Sequence, residues 1–273
     1  MKQPMRLAVS VFIIAKNEED RIATAIGSVR DWADEVVVVV DNSSEDKTDE
    51  VAIDAGADKV LYREWEGYGQ QKRYAEDQCR NRWLINIDAD EEISEELKNE
   101  IVNLFADGDP SYSAFRFRIM NMFAFEKKPA WLQKRKNPIR LYNRERARFQ
   151  NHSLHDFIIF HEPFKPEKTI TLRGPVYHRS TRNLQHMIQK YYFYCEMGAQ
   201  KMFQEGRYPT TLRLISEPIA AFIRMYLMRG YFIYGTYGFS FSVIWSTGRF
   251  YRLARARELY KLDSLEKMTN KQK

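Results

Sequence analysis

For its first hundred residues the chain alternates short apolar runs with amphipathic ones. Val9 to Ile14 has the length and composition of a buried strand. Arg21 to Trp32 follows with Ile22, Ile26 and Val29 at helical spacing. Glu35 to Val40 then sets five valines behind a charge and stops at Asp41. Asn42-Ser43-Ser44 is turn chemistry. Thr48 to Ala55 places Val51, Ala52 and Ala55 on one helical face, and Gly56 stands where a glycine closes a helix. A short strand over Lys59 to Tyr62, a loop at Gly67-Tyr68-Gly69 and a helix over Gln70 to Cys79 lead to another apolar run, Trp83 to Ile87. Ser94 caps the next helix, with Glu95 and Glu96 in its first turn and Leu97, Ile101 and Leu104 inward. The order βαβαβαβα predicts an α/β fold, a Rossmann-like and mostly parallel sheet flanked by helices on both faces.

Beyond Pro110 the pattern changes. Ala114 to Ile119 alternates like a strand with one wet face, and Ile139 to Tyr142 and Phe157 to Phe160 are further strand candidates. No regular helical period returns before Asn183, so residues 111–182 read as an extension of the domain begun by residues 1–110. From Asn183 a stripe of Leu184, Met187, Ile188, Tyr191, Cys195, Ala199 and Met202 runs to Gly206. Leu212 to Met228 is apolar, with Arg213 and Arg224 spaced through it. Gly230 to Gly248 carries no charge, yet its Gly, Ser, Thr and Tyr make it too polar to span a bilayer. Arg249, Arg252, Arg255 and Arg257 follow at once. Aromatic residues beside arginines suit the lipid headgroup layer, so residues 183–273 are expected to form a helical, membrane-surface region. A plain helical cap on the sheet is the competing reading.

Charge sharpens this division. The net charge of +6 comes from the part after residue 112, and the part before it is acidic. Aromatic residues make up 14% and crowd the second half. A basic, aromatic-rich half suits nucleic acid or an anionic membrane, and charge alone does not separate them. Cys79 and Cys195 form no metal-ligand or redox spacing, which points to a reducing cytoplasm. Lys2 and Arg6 ahead of Leu7 to Ala15 imitate a signal peptide, but Lys16-Asn17-Glu18-Glu19-Asp20 follows in place of a small-residue cleavage site.

Chemistry gathers where the fourth apolar run ends in Asp88-Ala89-Asp90-Glu91-Glu92. Carboxylates at the carboxyl end of an α/β strand lie where such sheets bind ligands. Alternation sends Asp88 and Asp90 to the same side, where two hard oxygen donors can share Mg²⁺ or Mn²⁺ and, through it, a substrate's phosphates. By itself the pattern also fits a solvated acidic loop. Asp41, read alone, is a turn-initiating aspartate. His152, His155 and His161 match no standard zinc spacing.

Taken together, Val11–Glu19, Val38–Thr48 and Asn86–Glu91 resemble the family-two glycosyltransferases. More narrowly, Glu64–Lys72 and Leu154-His155-Asp156 resemble the branch that adds sugars to the lipopolysaccharide inner core. The resemblance implies a GT-A fold and inverting transfer from a nucleotide sugar, a UDP-hexose, to a glycolipid or lipopolysaccharide-core acceptor. It implies a divalent metal, Mg²⁺ or Mn²⁺, on Asp90, with Asp88 helping or reaching the ribose. Asn17, Glu18 and Asp41 would line the nucleotide-sugar crevice in residues 1–110, and Lys72 can steady phosphate as a point charge. Asp156 is the candidate general base, with His155 beside it, in the acceptor-binding section 111–182. Arg140 and Arg144 can meet an anionic acceptor, although solvated surface is an equal reading. The place implied is the cytoplasm, peripheral on the inner face of the cytoplasmic membrane, with no nucleic acid as partner. Asn42, Ser43 and Lys47 depart from the family's Ser, Gly and Gly, which changes the backbone freedom of that loop. Two other classes compete. A nucleotidyltransferase would carry a glycine-rich phosphate loop where Ala15-Lys16-Asn17-Glu18 stands, and a non-catalytic basic module for membrane or RNA would not need carboxylates at strand ends.

Overall fold

The computed structural model describes residues 6–271 apart from 124–125, 127–135, 153–156 and 164–168. The described residues fall into two compact units, one holding those up to Met122 and 136–180, the other Phe123, Glu126 and those from 181 onward.

In the first unit the apolar runs become β1 (Leu7–Ala15), β2 (Ala33–Asp41), β3 (Lys59–Arg63) and β4 (Trp83–Asn86), with α1 (Ile22–Gly27), α2 (Thr48–Asp54) and α3 (Tyr68–Asp77) between them. A three-residue β5 (Glu91–Ile93) precedes α4 (Glu95–Leu104), whose N-cap Ser94 accepts a hydrogen bond from the Leu97 amide at 3.2 Å. Then come β6 (Ala114–Asn121), β7 (Ile139–Asn143), β8 (Ala147–Phe149), β9 (Ile158–Phe160) and β10 (Thr169–His178). Eight of these strands form one sheet in the order β3-β2-β1-β4-β7-β6-β10-β5, and β8 pairs with β9 separately. The β3-β2-β1-β4 half is parallel, as its crossover helices require. β7 is antiparallel to both its neighbours, β10 runs parallel to β6, and β5 closes the edge antiparallel to β10.

Alternation along the central strands builds two cores, because successive side chains point to opposite faces. Val9, Val11 and Ile13 of β1 join Val36, Val38 and Val40 of β2 under α1, α2 and α4. Phe12, Val37, Val39 and Leu84 face the other way, onto Ala75 of α3, Cys79 just beyond it, Tyr142 of β7, and Ala147 and Phe149 of β8. Both faces are covered, which is why β2 reads as an unbroken run of valines. The sequence pattern does not announce β5, β8 or β10, and α1 is shorter than its periodicity suggests.

The second unit contains α5 (Leu184–Gln204), α6 (Thr211–Ile223) and α7 (Gly235–Lys271). Asn183 and Thr210 cap α5 and α6. A π-turn at Arg224–Met228 continues α6, and a 3₁₀ turn at Tyr231–Tyr234 precedes α7. Ala199 and Met202 of α5 pack on Leu253 and Ala256 of α7, with Leu214 of α6 against them. Tyr191 stacks on Trp245 at 4.6 Å, over Gly248, where a Cβ would come within 2.1 Å of the Tyr191 ring. Glu217 gathers Arg213 and Arg252, each at 2.8 Å, and Glu196 holds Arg255 at 3.1 Å. No helix among the described residues is long and apolar enough to cross a membrane.

Candidate active site

β4 ends at Asn86, buried Ile87 follows, and the chain turns through Asp88-Ala89-Asp90 into β5. The turn is fixed from within: the Glu91 amide donates to the Asp88 carbonyl at 2.9 Å, and the Asp88 amide donates to Glu91 Oε2 at 3.0 Å. β5 then pairs with β10 so that Glu91 stands opposite His178. The Arg179 amide donates to the Asp90 carbonyl at 2.9 Å. This pairing brings the end of β10 to the carboxylates.

Asp88 is held by two cations. Lys72 of α3 reaches Oδ1 at 3.0 Å, and Arg140 of β7 donates to Oδ2 at 2.8 Å. The same guanidinium donates to Glu91 Oε1 at 2.7 Å and to Asn86 Oδ1 at 2.5 Å. Lys72 is 2% exposed, so it is not a solvated helix lysine. Burial would raise the Asp88 carboxyl, but Arg140 and Lys72 outweigh it and hold the group well below the usual carboxylate range. Glu91 goes the other way: burial lifts its carboxyl above the ordinary value despite Arg140.

Asp90 has a different neighbour. Its Oδ2 lies 3.2 Å from His178 Nε2 and 3.7 Å from Arg21 Nη1. The other ring nitrogen, Nδ1, is 2.8 Å from Asn121 Oδ1. An imidazole between two oxygen acceptors favours its proton, and Asp90 raises His178 against the opposing effect of burial. Burial opposes ionisation of Asp90 as well, and His178 still brings its carboxyl below the ordinary value.

The loops after β1 and β2 are latched to each other. The Asn17 amide donates to Ser44 Oγ at 3.3 Å and Asn17 Oδ1 accepts from the Glu45 amide at 2.8 Å. The Glu18 amide donates to Thr48 Oγ1 at 2.8 Å, and Asp46 accepts from the Glu19 amide at 3.0 Å. Asn17 itself adopts a left-handed φ of 55°, which asparagine tolerates better than most residues. Side-chain bonds thus hold a loop in which Ser43 and Lys47 stand where the family has glycines. Asp41, 2% exposed at the end of β2, accepts from the Ser43 amide and hydroxyl through Oδ1 at 2.8 and 2.7 Å. Its Oδ2 is buried without a hydrogen-bond donor, with Lys16 Nζ 3.4 Å away as a charge partner. Glu18 is ion-paired to Arg21, which also donates to the Arg179 carbonyl at 3.0 Å.

The structure therefore collects Asp88, Asp90, Lys72 and Arg140 around the end of β4, and sets Asn17, Glu18 and Asp41 at the ends of the adjoining β1 and β2. Arg140, expected at an acceptor surface, is instead buried among Asn86, Asp88 and Glu91. Arg144 lies at the opposite end of the sheet. β7 runs antiparallel to β4, with Asn143 beside Trp83, so Arg144 is at the start of β4 and donates to the Cys79 carbonyl at 2.7 Å. His155 and Asp156 lie outside the described residues. Sequence reasoning missed His178, Asn121 and Arg21. The available signal for His178 was a polar side chain closing an alternating stretch, whereas Asp41 was singled out by the family resemblance.

Two donors on one octahedral cation at Mg²⁺ or Mn²⁺ distances sit about 3 Å apart when adjacent. Asp90 Oδ2 and His178 Nε2, at 3.2 Å, fit that bite. No group of three His, Cys, Asp or Glu among the described residues is placed to hold a metal. Mg²⁺ usually takes one or two carboxylates, with phosphate and water in the remaining positions, and Asp90 would be such a carboxylate with His178 beside it.

The family described as Glycosyl transferase family 2 matches residues 10–169. The chain belongs to that family. An uncharacterized glycosyltransferase of Rickettsia typhi is 40% identical over 92% of this chain and 87% of its own length. A lipopolysaccharide core biosynthesis glycosyltransferase of Rhizobium meliloti, LpsC, is 29% identical over 97% of this chain and 96% of its own. Among solved structures, Staphylococcus aureus TarS residues 1–349 superpose with a TM-score of 0.46 at 15% identity, covering 95% of this chain and 92% of that one. As a family-two glycosyltransferase, the chain has the GT-A arrangement: the parallel β3-β2-β1-β4 half carries its carboxylates at the strand ends, and the mixed half carries His178 to them.

Proposed function

We propose that this glycosyltransferase moves a hexose from a UDP-sugar to a glycolipid acceptor of the lipopolysaccharide-core type, with inversion. The observation that carries the reading is the pairing of Asp90 Oδ2 with His178 Nε2 at 3.2 Å beside the β4 carboxylates. A divalent cation bound there supplies Lewis acidity to the departing diphosphate. Asp90 would hold it together with His178, once the imidazole has given up the Nε2 proton it shares with that carboxylate. Asp88, fixed by Lys72 and Arg140, would help hold the cation or reach the donor ribose, and Arg140 positions Asp88 and Glu91. Asp41, ion-paired to Lys16 at 3.4 Å, stands at the end of β2, where it would meet the base or ribose. Asn17 and Glu18 form the wall between β1 and β2. The likeness to LpsC supports a core-oligosaccharide acceptor, and the basic second half supports work at the inner face of the cytoplasmic membrane.

Donor binding is the direct test. UDP-hexose with Mn²⁺ should raise the thermal midpoint, since a ligand held at a hundred times its Kd adds about 2.7 kcal/mol. Asp90→Ala should lose the metal-dependent part of that shift and all turnover. Equal donor stabilisation of wild type and Asp90→Ala, with or without chelator, would remove the metal from the reading.

Asp156, with His155 adjacent, is assigned the base that takes the acceptor proton, on the strength of its motif. One base opposite a metal-held leaving group suits a single in-line displacement, so an α-linked donor should give a β-linked product. Asp156→Asn should lower kcat by roughly a hundredfold or more while leaving donor affinity nearly unchanged. Product NMR showing retention, or a near-normal kcat, would contradict the assignment.

A further inference from the structure

α6 is apolar on two opposite sides. Leu214, Ala221 and, in the π-turn, Met225 face the interior of the helical unit. The outer side presents Leu212 (77% exposed), Ile215, Ile219 (59%) and Ile223, and continues into Leu227 and Met228 (76%). Steps of three and four residues place the first four on one stripe. An exposed apolar stripe of this length, beside a charged flank, marks an interaction surface.

The charges of this segment are confined to one flank and one end. Arg213, Glu217 and Arg224 follow one another down the flank, and Arg229 comes directly after Met228. Glu217 is committed to Arg213 and Arg252. Neither Arg224 nor Arg229 has an ion-pair partner among the described residues. The uncompensated charge beside the stripe is therefore positive.

We propose that this face of α6, with Leu227 and Met228, lies in the headgroup layer of an anionic phospholipid membrane, the helix axis parallel to the surface. A helix of this length is about 20 Å long, and such a helix binds in the plane when its apolar side faces the acyl boundary and its cations face lipid phosphates. A second copy is the poorer occupant. A two-fold contact would set the same stripe against itself, and its exposed residues include no carboxylate to meet Arg224 or Arg229. The inference deepens the membrane placement proposed above and rests on that part of the reading alone.

Flotation of the full-length protein tests it, with vesicles of phosphatidylcholine alone or mixed with phosphatidylglycerol. Binding should be at least tenfold stronger to the anionic vesicles and should weaken with salt. Ile215→Asp combined with Ile219→Asp should reduce it at least tenfold, with an unchanged thermal midpoint because both side chains are exposed. Arg224→Gln with Arg229→Gln should flatten the salt dependence. An environment-sensitive fluorophore on Ile219→Cys should shift to the blue on anionic vesicles, whereas one on Ser264→Cys should not; Cys79 and Cys195 are buried. Undiminished flotation of the double aspartate variant overturns the proposal. So does a wild-type dimer that this variant splits while vesicle binding persists, which would give the face to a second copy. Donor stabilisation measured on the same samples keeps the two readings apart: its absence counts against the transfer chemistry, loss of flotation against the membrane face.

Discussion

Arg140 is the residue on which the most local charge depends. It satisfies Asp88, Glu91 and the Asn86 amide oxygen at once, and Glu91 is only 2% exposed. Removing the guanidinium strands a buried carboxylate, and breaking such a pair costs about 3–5 kcal/mol. Arg140→Leu should therefore lower stability by that order at neutral pH. The sign of its pH dependence follows from Glu91, whose carboxyl already sits above the ordinary value because of burial. A carboxyl raised in the folded state favours folding most at low pH, and that advantage is lost as pH climbs from the ordinary carboxylate value through the raised one. Without Arg140 the rise is larger, so the penalty should be small in acid and full at neutrality. Denaturant titrations of both proteins across that range check it; a pH-independent difference would mean that the loss is one of packing. Asp88, Asp90, Asp41 and Lys72 were all legible as candidates because polar side chains interrupt apolar runs or follow a recognisable motif. What Arg140 does was not legible, since nothing in Ile139-Arg140-Leu141 says which carboxylates lie across the sheet.

At the scale of elements, β10 decides both the site and the limits of sequence reading. It delivers His178, yet Gly174-Pro175 sits in its middle, a pair that argues against a strand. The structure resolves the conflict with a register shift in its pairing with β6 between Thr171 and Pro175. β5 was hidden for another reason, because Glu91-Glu92-Ile93 looks like an acidic loop until β10 is there to pair with it. By contrast β1, β2 and β4 are buried on both faces and show as plain apolar runs, needing no partner to be recognised. Gly174 also sets how closely β10 approaches α4. A Cβ there would lie 2.3 Å from the Leu97 amide nitrogen and 2.4 Å from its Cα, backbone atoms that cannot swing aside. Gly174→Ala should destabilise the protein by about 1–3 kcal/mol, the usual range for overpacking. It should also weaken metal-dependent donor binding, because His178 is on the same strand. A variant that loses stability but keeps full metal response would show that the end of β10 is positioned independently of its middle.

For the whole molecule, the sequence reads as a sheet-bearing part followed by a helical part, because strand-like runs stop and the helical period alone continues from Asn183. It drew attention to the uncharged Gly230–Gly248 stretch, which does expose Phe232 and Phe239, while α6 carries larger apolar exposure at Leu212 and Ile215. Exposure depends on which side of a helix its neighbours occupy, and composition does not record that. The order of strands in the sheet has a further consequence, during synthesis. β1 lies between β2 and β4, so one of its edges is covered early and the other must wait for Trp83–Asn86. A ribosome adding about 5–20 residues per second takes roughly four to fifteen seconds to travel from Val9 to Trp83. Through that interval a row of unpaired backbone groups flanked by Val9, Val11 and Ile13 stands open in the nascent chain, the kind of edge that recruits foreign strands. The finished sheet ends instead in β3, with Lys59 and Arg63 along it, and in the three residues of β5, two of them glutamates. The open edge of β1 thus exists only while the protein is being made, and speeding or slowing translation between Val9 and Trp83 should change soluble yield without any change in the stability of the folded state.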